Sequence, residues 1–201
     1  MTLYQRKLLV LDIDGTMIFA EQKSNLAYIQ VEQDHHFKID DGSILVWKRP
    51  GLDEFVEWCF EHYDIGIWSA SSSEYVHSVL ACIIPDHLRS KLKFIWTSIR
   101  CTRKSQERSL DIYAVPFTIK RLQKLWRNST KTYNRRNTLI LDDTPTTYQK
   151  NYGNAIPIIS YSGSIKDCEL ERVKYLLESL ISTTDVRTVN KHALVENRTE
   201  I

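Results

Sequence analysis

The chain has 201 residues, 42% of them hydrophobic and 26% charged, with a formal net charge of +2. This is ordinary globular usage in a chain long enough to bury one substantial core, and it excludes disordered, collagenous and membrane-spanning classes. So small a charge does not by itself specify a nucleic-acid partner, although basic residues crowd the stretch from Arg100 to Arg136.

In chain order, Leu8 to Leu11 is a short apolar run followed at once by Asp12 and Asp14, the pattern of a buried strand that ends at a polar loop. Residues 20–48 turn polar, with alternating pairs such as Phe37 and Ile39 or Ile44 and Val46 around an Asp40-Asp41-Gly42 turn signal, which predicts a β-hairpin insertion. Pro50 and Gly51 precede Leu52, Phe55, Val56, Cys59 and Phe60 at helical spacing. Asp64 to Trp68 reads as a second buried strand, followed by a helix from about Ser73 to Cys82.

Leu92 to Trp96 is a third strand candidate, and a helix is expected over Thr118 to Trp126 from the spacing of Ile119, Leu122, Leu125 and Trp126. Between them Thr97 to Pro116 reads as a long basic loop. A fourth strand is expected at Thr138 to Leu141, with Thr144 as N-cap and Pro145 at the first position of the next helix. Ile156 to Ile159 makes a fifth strand and Asp167 to Ile181 a last amphipathic helix, and the polar residues after Thr183 read as a weakly ordered tail.

Strands alternating with helices predict an α/β fold, a parallel sheet covered on both faces, whose site lies beyond the carboxyl ends of the strands. The expected organisation is one domain over residues 1–182, with its insertion at about 20–48, and a flexible tail over 183–201. The four cysteines, Cys59, Cys82, Cys101 and Cys168, have no C-x-x-C spacing, so neither a zinc site nor a disulfide framework is suggested. With no signal-peptide run and no stretch of about 20 apolar residues, an intracellular setting, nuclear or cytoplasmic, is the expectation.

Two carboxylates crowded after a buried strand, Asp12 and Asp14, are costly unless neutralised, and Asp142 and Asp143 follow the fourth strand in the same way. If the fold sets those strand ends side by side, they concentrate the oxygen ligands that Mg²⁺ prefers. Taken alone, each Asp has the competing reading of a turn or cap residue.

The segment DIDGT resembles motif one of the haloacid dehalogenase superfamily. More narrowly, VWKRPGLDEFVEW, IGIWSASSSEYV, IKRL and LILDDTPTTY resemble, in order, the small phosphatases that act on the C-terminal domain of RNA polymerase II, the NIF/FCP homology group. The resemblance covers roughly residues 7 to 165. It implies a Rossmann-like sheet with a small hairpin insertion in place of a large cap. By the same resemblance Asp12 is the nucleophile that forms an aspartyl-phosphate, Asp14 the acid/base, and Lys120 the cation balancing the charge, with Arg121 and Lys124 nearby on the expected helix. Mg²⁺ is implied as cofactor, held by Asp12, Asp14 and Asp143, with Asp142 supporting it near the metal or Lys120.

Ser69 is implied as a phosphate-binding hydroxyl, with Ala70 beside it, and Thr16 as a hydroxyl of the loop after the nucleophile. Tyr75 aligns with an aromatic that lines a proline-binding pocket in those enzymes, or is a plain helix-face aromatic. Arg100 is a candidate second phosphate-contacting cation, and Arg100, Arg103, Lys104 and Arg108 form either an anion-recognition patch or a solvated face. The implied substrate is a phosphorylated protein or peptide. The competing readings are a nucleotide or nucleic-acid 3′-phosphatase and a catalytically silent phosphopeptide-binding module.

Overall fold

The computed structural model describes residues 6–29, 31–104, 117–128 and 132–192. Its first strand, β1 (Leu8–Leu11), is buried at every position and forms the middle of a five-stranded parallel sheet. The remaining strands are β2 (Ile18–Gln22), β3 (Phe37–Ile39), β4 (Ile44–Lys48), β5 (Asp64–Trp68), β6 (Phe94–Trp96), β7 (Thr102–Lys104), β8 (Phe117–Ile119), β9 (Thr138–Asp142) and β10 (Ala155–Pro157). The helices are α1 (Leu52–His62), α2 (Ser73–Ile83), α3 (Asp86–Arg89), α4 (Gln123–Asn128), α5 (Pro145–Tyr148) and α6 (Glu169–Leu180).

The sheet runs β10-β9-β1-β5-β6. Successive strand residues face opposite sides, and β1 divides accordingly. Leu9 and Leu11 join Ile65, Ile67, Leu139 and Leu141 in a core covered by α1, α2 and α6, whereas Leu8 and Val10 join Ile140, Leu122, Leu125 and Tyr148 on the side of α4 and α5. Burial on both faces is why these strands read as continuous apolar runs. The sheet is the α/β architecture expected from the sequence, and no helix among the described residues is long and apolar enough to cross a membrane.

The insertion is a three-stranded antiparallel sheet, β2-β4-β3, rather than a hairpin alone. The Asp40-Asp41-Gly42 turn joins β3 to β4 with all three residues at positive φ. Its additional strand, β2, begins directly after the loop that follows Asp14 and pairs Ile18 with Lys48. Tyr28 and Ile29 are not in a strand; Lys23–Tyr28 is a 3₁₀ turn.

Four other expectations shift. The helix expected over Thr118 to Trp126 is instead strand β8, a three-residue connection of Lys120, Arg121 and Leu122, and a short helix that begins at Gln123. Part of the expected basic loop is strand β7, antiparallel to β8 with Thr102 opposite Ile119; residues 105–116, including Arg108, lie outside the described residues. The strands expected at Leu92 to Trp96 and Ile156 to Ile159 are shorter, Phe94–Trp96 and Ala155–Pro157. Finally, residues 183–192 are not a loose tail: Val186 is fully buried, and Lys191 is buried with its ammonium donating to the carbonyls of Val186 and Val189 at 2.6 and 2.9 Å. The expected tail over 193–201 lies outside the described residues.

Candidate active site

Register decides which groups meet. Leu11 lies beside Leu141 on one neighbour and beside Ile67 on the other, so Asp12, Ser69 and the Asp142-Asp143 pair emerge together at the carboxyl edge of the sheet. The Asp12 amide continues the ladder to the Leu141 carbonyl at 3.0 Å. Alternation then points Asp12 and Asp142 to the face of Val10 and Ile140, the face that the Lys120 connection covers. There Lys120 Nζ lies 2.6 Å from Asp12 Oδ1 and 2.8 Å from Asp142 Oδ2. All three groups are buried, at 0% exposure for Lys120 and Asp142 and 6% for Asp12.

Lys120 is held by its backbone: its amide donates to the Thr147 carbonyl at 2.8 Å, and its carbonyl accepts from the Asn151 side chain. Burial works against its charge, but the adjacent Asp12 and Asp142 carboxylates outweigh that and raise its pKa, so it stays an ammonium. Burial raises the Asp12 pKa well above the usual carboxylate range; Lys120 opposes the rise, while Asp142 and Asp143 add to it. The Asp143 carboxyl is likewise raised, first by burial, despite hydrogen bonds from Ser160 and Thr144.

Three carboxylates, Asp12, Asp142 and Asp143, bring ligand oxygens within 4.8 Å of one another. One ammonium cannot neutralise three such groups, and the residual repulsion, with an all-oxygen donor set, fits Mg²⁺. Asp142 has both oxygens engaged, Oδ2 by Lys120 and Oδ1 by the Thr144 amide at 2.9 Å. The group that could hold a cation is Asp12, Asp142 and Asp143 together, with Asp142 also fixing Lys120. Gly15 (φ 71°) makes the packing possible, since a Cβ there would overlap the Asp143 carboxylate and the Ser160 hydroxyl.

The Asp14 carboxylate stands apart from this cluster. Ser71 Oγ donates to its Oδ2 at 3.0 Å, and the Tyr75 hydroxyl donates to its Oδ1. Tyr75, at the first turn of α2, is therefore turned toward Asp14; burial and then Asp14 keep its phenol protonated. Ser69 is buried, its Oγ accepting from the Ser71 amide at 3.0 Å, and Ala70 is exposed between them.

Thr16 and Arg100 lie outside the carboxylate cluster. Thr16 is fully buried and its hydroxyl has no hydrogen-bond partner, so it belongs to the loop interior. Arg100 is exposed, with its guanidinium 5.4 Å over the Trp96 ring, and no contact joins it to the carboxylates. Its loop does border the site, because the Ser98 amide donates to the Ser71 carbonyl at 3.0 Å.

Ser71, Ser160, Asn151 and Arg49 join the site without having been expected there from the sequence. Arg49, at 1% exposure, donates to the carbonyls of Gly15, Thr16 and Ile159 and pairs with Asp167 at 2.7 Å, tying the loop after Asp14 to the insertion. Its signal was the KRPG segment, where a cation sits between a strand and a helix.

The NLI interacting factor-like phosphatase family model matches residues 7–187. The chain belongs to that family. Among similar proteins are the ubiquitin-like domain-containing CTD phosphatase 1 of Danio rerio, 27% identical over 194 residues, covering 93% of this chain and 54% of the relative. A probable C-terminal domain small phosphatase of Dictyostelium discoideum is 28% identical over 188 residues, covering 91% and 53%. The chain thus spans about half the length of these curated relatives. Among solved structures, that of Fcp1, an RNA polymerase II CTD phosphatase, aligns with a TM-score of 0.53 at 16% identity, covering 97% of this chain and 55% of that one. At that identity the likeness concerns the fold, a five-stranded parallel sheet with a small antiparallel insertion.

Proposed function

We propose that the chain is a Mg²⁺-dependent phosphomonoester hydrolase that works through an aspartyl-phosphate on Asp12. The observation that carries this reading is the division of labour between two carboxylates two residues apart: Asp12 sits beside an ammonium and a cation-binding cluster, and Asp14 is held away from it by two hydroxyls. Asp12 attacks phosphorus, and Lys120 stabilises the negative charge that accumulates as it does so. Asp14 protonates the departing alcohol oxygen and then takes a proton from the water that hydrolyses the intermediate, while Ser71 and Tyr75 fix its orientation. Ser69, with the adjacent Ala70 backbone, offers hydrogen bonds to the phosphoryl oxygens. Bound Mg²⁺, held by Asp12 and Asp143 with the Asp14 main chain, supplies charge neutralisation between the anionic nucleophile and the phosphate dianion.

The substrate class we favour is a phosphoserine or phosphothreonine in an extended peptide like the C-terminal domain of RNA polymerase II. Support comes from the named activity of the CTD phosphatase relatives and from an insertion that is a single three-stranded sheet in place of a large cap. A nuclear or cytoplasmic setting accords with a Drosophila melanogaster relative named as a nuclear envelope phosphatase homolog, 28% identical over 196 residues. The test compares turnover of phosphoserine peptides, 3′-phosphorylated oligonucleotides and para-nitrophenyl phosphate by the full chain with and without Mg²⁺. Faster turnover of the peptide supports the assignment, faster turnover of the oligonucleotide replaces the substrate class, and no turnover of any of them removes the enzyme reading.

A further inference from the structure

Away from the carboxylates, a cavity of about 710 Å³ opens between α4 and the turn after α5. Four cations, Arg121, Arg135, Lys150 and Arg187, line it together with Trp126 and Tyr152, and no acidic residue does. A second hollow of about 550 Å³ shares Trp126, Arg135 and Arg187 with it and adds Arg127 and Arg136. Only Arg187 and Arg136 are balanced, both by Asp185. Among the described residues, Arg121, Arg135 and Lys150 enter no ion pair, and Arg121 Nε is buried without a hydrogen-bond partner. Unpaired guanidinium and ammonium groups that share a concave wall repel one another and favour an anion.

The aromatics say which kind of anion. Arg135 lies over one face of Trp126, with its Cζ 5.8 Å from the ring centre, and His192 stacks on one face of Tyr152 with ring centres 3.7 Å apart. Each ring is backed on one side, and Tyr152 is 59% exposed. The exposed Tyr152 face, backed by His192, and the half-buried Trp126 beside cations without ion pairs offer what a nucleobase with its phosphate uses, through stacking and charge together. A phosphate on a peptide calls for the cations but not for the flat surfaces. Two hollows sharing a wall also suit more than one linked unit.

We propose that this basic, aromatic-lined cavity binds a nucleotide unit, either free or within a single strand of RNA or DNA. It is separate from the phosphatase site: none of Asp12, Asp14, Asp142 or Asp143 lines it. The two sites share one support, Asn151, which lines the cavity, donates to the Lys120 carbonyl and accepts from the Leu122 amide.

The experiment is fluorescence anisotropy of the full chain with a labelled eight-nucleotide oligo(U) or oligo(dT) ending in a 3′-hydroxyl, at about 0.1 M salt because such binding is strongly salt-dependent. AMP and a doubly phosphorylated serine peptide serve as competitors. The expected result is binding weakened at least tenfold in the double variant Arg135→Ala/Lys150→Ala and about fivefold or more in Tyr152→Ala. Hydrolysis of para-nitrophenyl phosphate should stay within twofold of wild type in both variants. Competition by AMP marks a mononucleotide site, and competition only by oligonucleotide marks a strand. The proposal is overturned if neither nucleotide binds, if binding ignores these substitutions, if Tyr152→Ala leaves it unchanged, or if only the phosphopeptide competes. None of these outcomes touches turnover at Asp12, so the phosphatase reading stands or falls separately.

Discussion

Lys120 Nζ reaches Asp12 Oδ1 at 2.6 Å and Asp142 Oδ2 at 2.8 Å, so a single buried ammonium serves two carboxylates on neighbouring strands. Removing it leaves both acids buried without their counter-ion. Breaking a buried pair in this way costs about 3–5 kcal/mol. Lys120→Met is expected to lower the urea unfolding midpoint accordingly and to abolish turnover, whereas Asp142→Asn should keep the fold and lose much of the rate because Lys120 is no longer fixed. Urea titrations of both variants, followed by circular dichroism, check the ranking.

The Tyr75 hydroxyl donates to Asp14 and has no other role visible in the packing. A hydrogen bond to a charged acceptor contributes about 1.5–3 kcal/mol. Tyr75→Phe should therefore lower kcat by roughly 10- to 100-fold and lower the thermal midpoint by about 3–12 °C. Ser71→Ala should act in the same direction, and because both hydroxyls hold one carboxylate the double variant should lose less than the sum of the two losses. Steady-state kinetics on para-nitrophenyl phosphate with the three variants measures that coupling.

Gly15 combines a φ of 71° with direct packing against Asp143 and Ser160. Gly15→Ala is expected to push the Asp143 carboxylate out of place and so to weaken Mg²⁺ binding by at least tenfold. Isothermal titration of the metal into the variant, beside wild type, reads this without relying on turnover.

The ordered segment before residue 193 makes a pH prediction. Burial lowers the Lys191 pKa from its ordinary 10.5 to about 8. Between those values the unfolded chain carries the proton at this position and the folded chain does not, so unfolding takes up a proton and this group's contribution to stability rises with pH from about 8 to 10.5. Below pH 8 both states are charged and the burial penalty is constant. Relative to Lys191→Met, wild type should gain a few degrees in thermal midpoint between pH 7.5 and pH 10, and a flat difference would place the ammonium in water.

Much of this was legible in the residues themselves. Leu8 to Leu11, Asp64 to Trp68 and Thr138 to Leu141 are short apolar runs with acids or hydroxyls at their ends, and parallel register then aligns those ends. The helix spacing of Leu52, Phe55, Val56, Cys59 and Phe60 held for the same local reason. What failed was non-local. Ile119, Leu122 and Leu125 have helical spacing, yet Ile119 is a strand residue because Thr102 pairs with it from 17 residues earlier. Strand β2 was hidden similarly, since its partner β4 lies across the insertion. Ser71 and Ser160 look like ordinary small loop residues until the carboxylates they touch are placed. Val186 and Val189 are the apolar residues of a polar stretch, and only their packing against the core, with the burial of Lys191, marks the segment as packed.

The central claim is that Asp12 forms a covalent bond to phosphorus and Asp14 controls the protons. The direct measurement is a rapid-quench experiment with ³²P-labelled phosphopeptide and Mg²⁺ on wild type, Asp14→Asn and Asp12→Asn, followed by proteolysis and mapping of the label. The account predicts label on the peptide containing Asp12 in wild type, released by hydroxylamine, longer-lived label in Asp14→Asn because the water that clears it loses its base, and none in Asp12→Asn. Wild-type turnover with no label at Asp12 at any quench time, or turnover that survives Asp12→Asn, would contradict it.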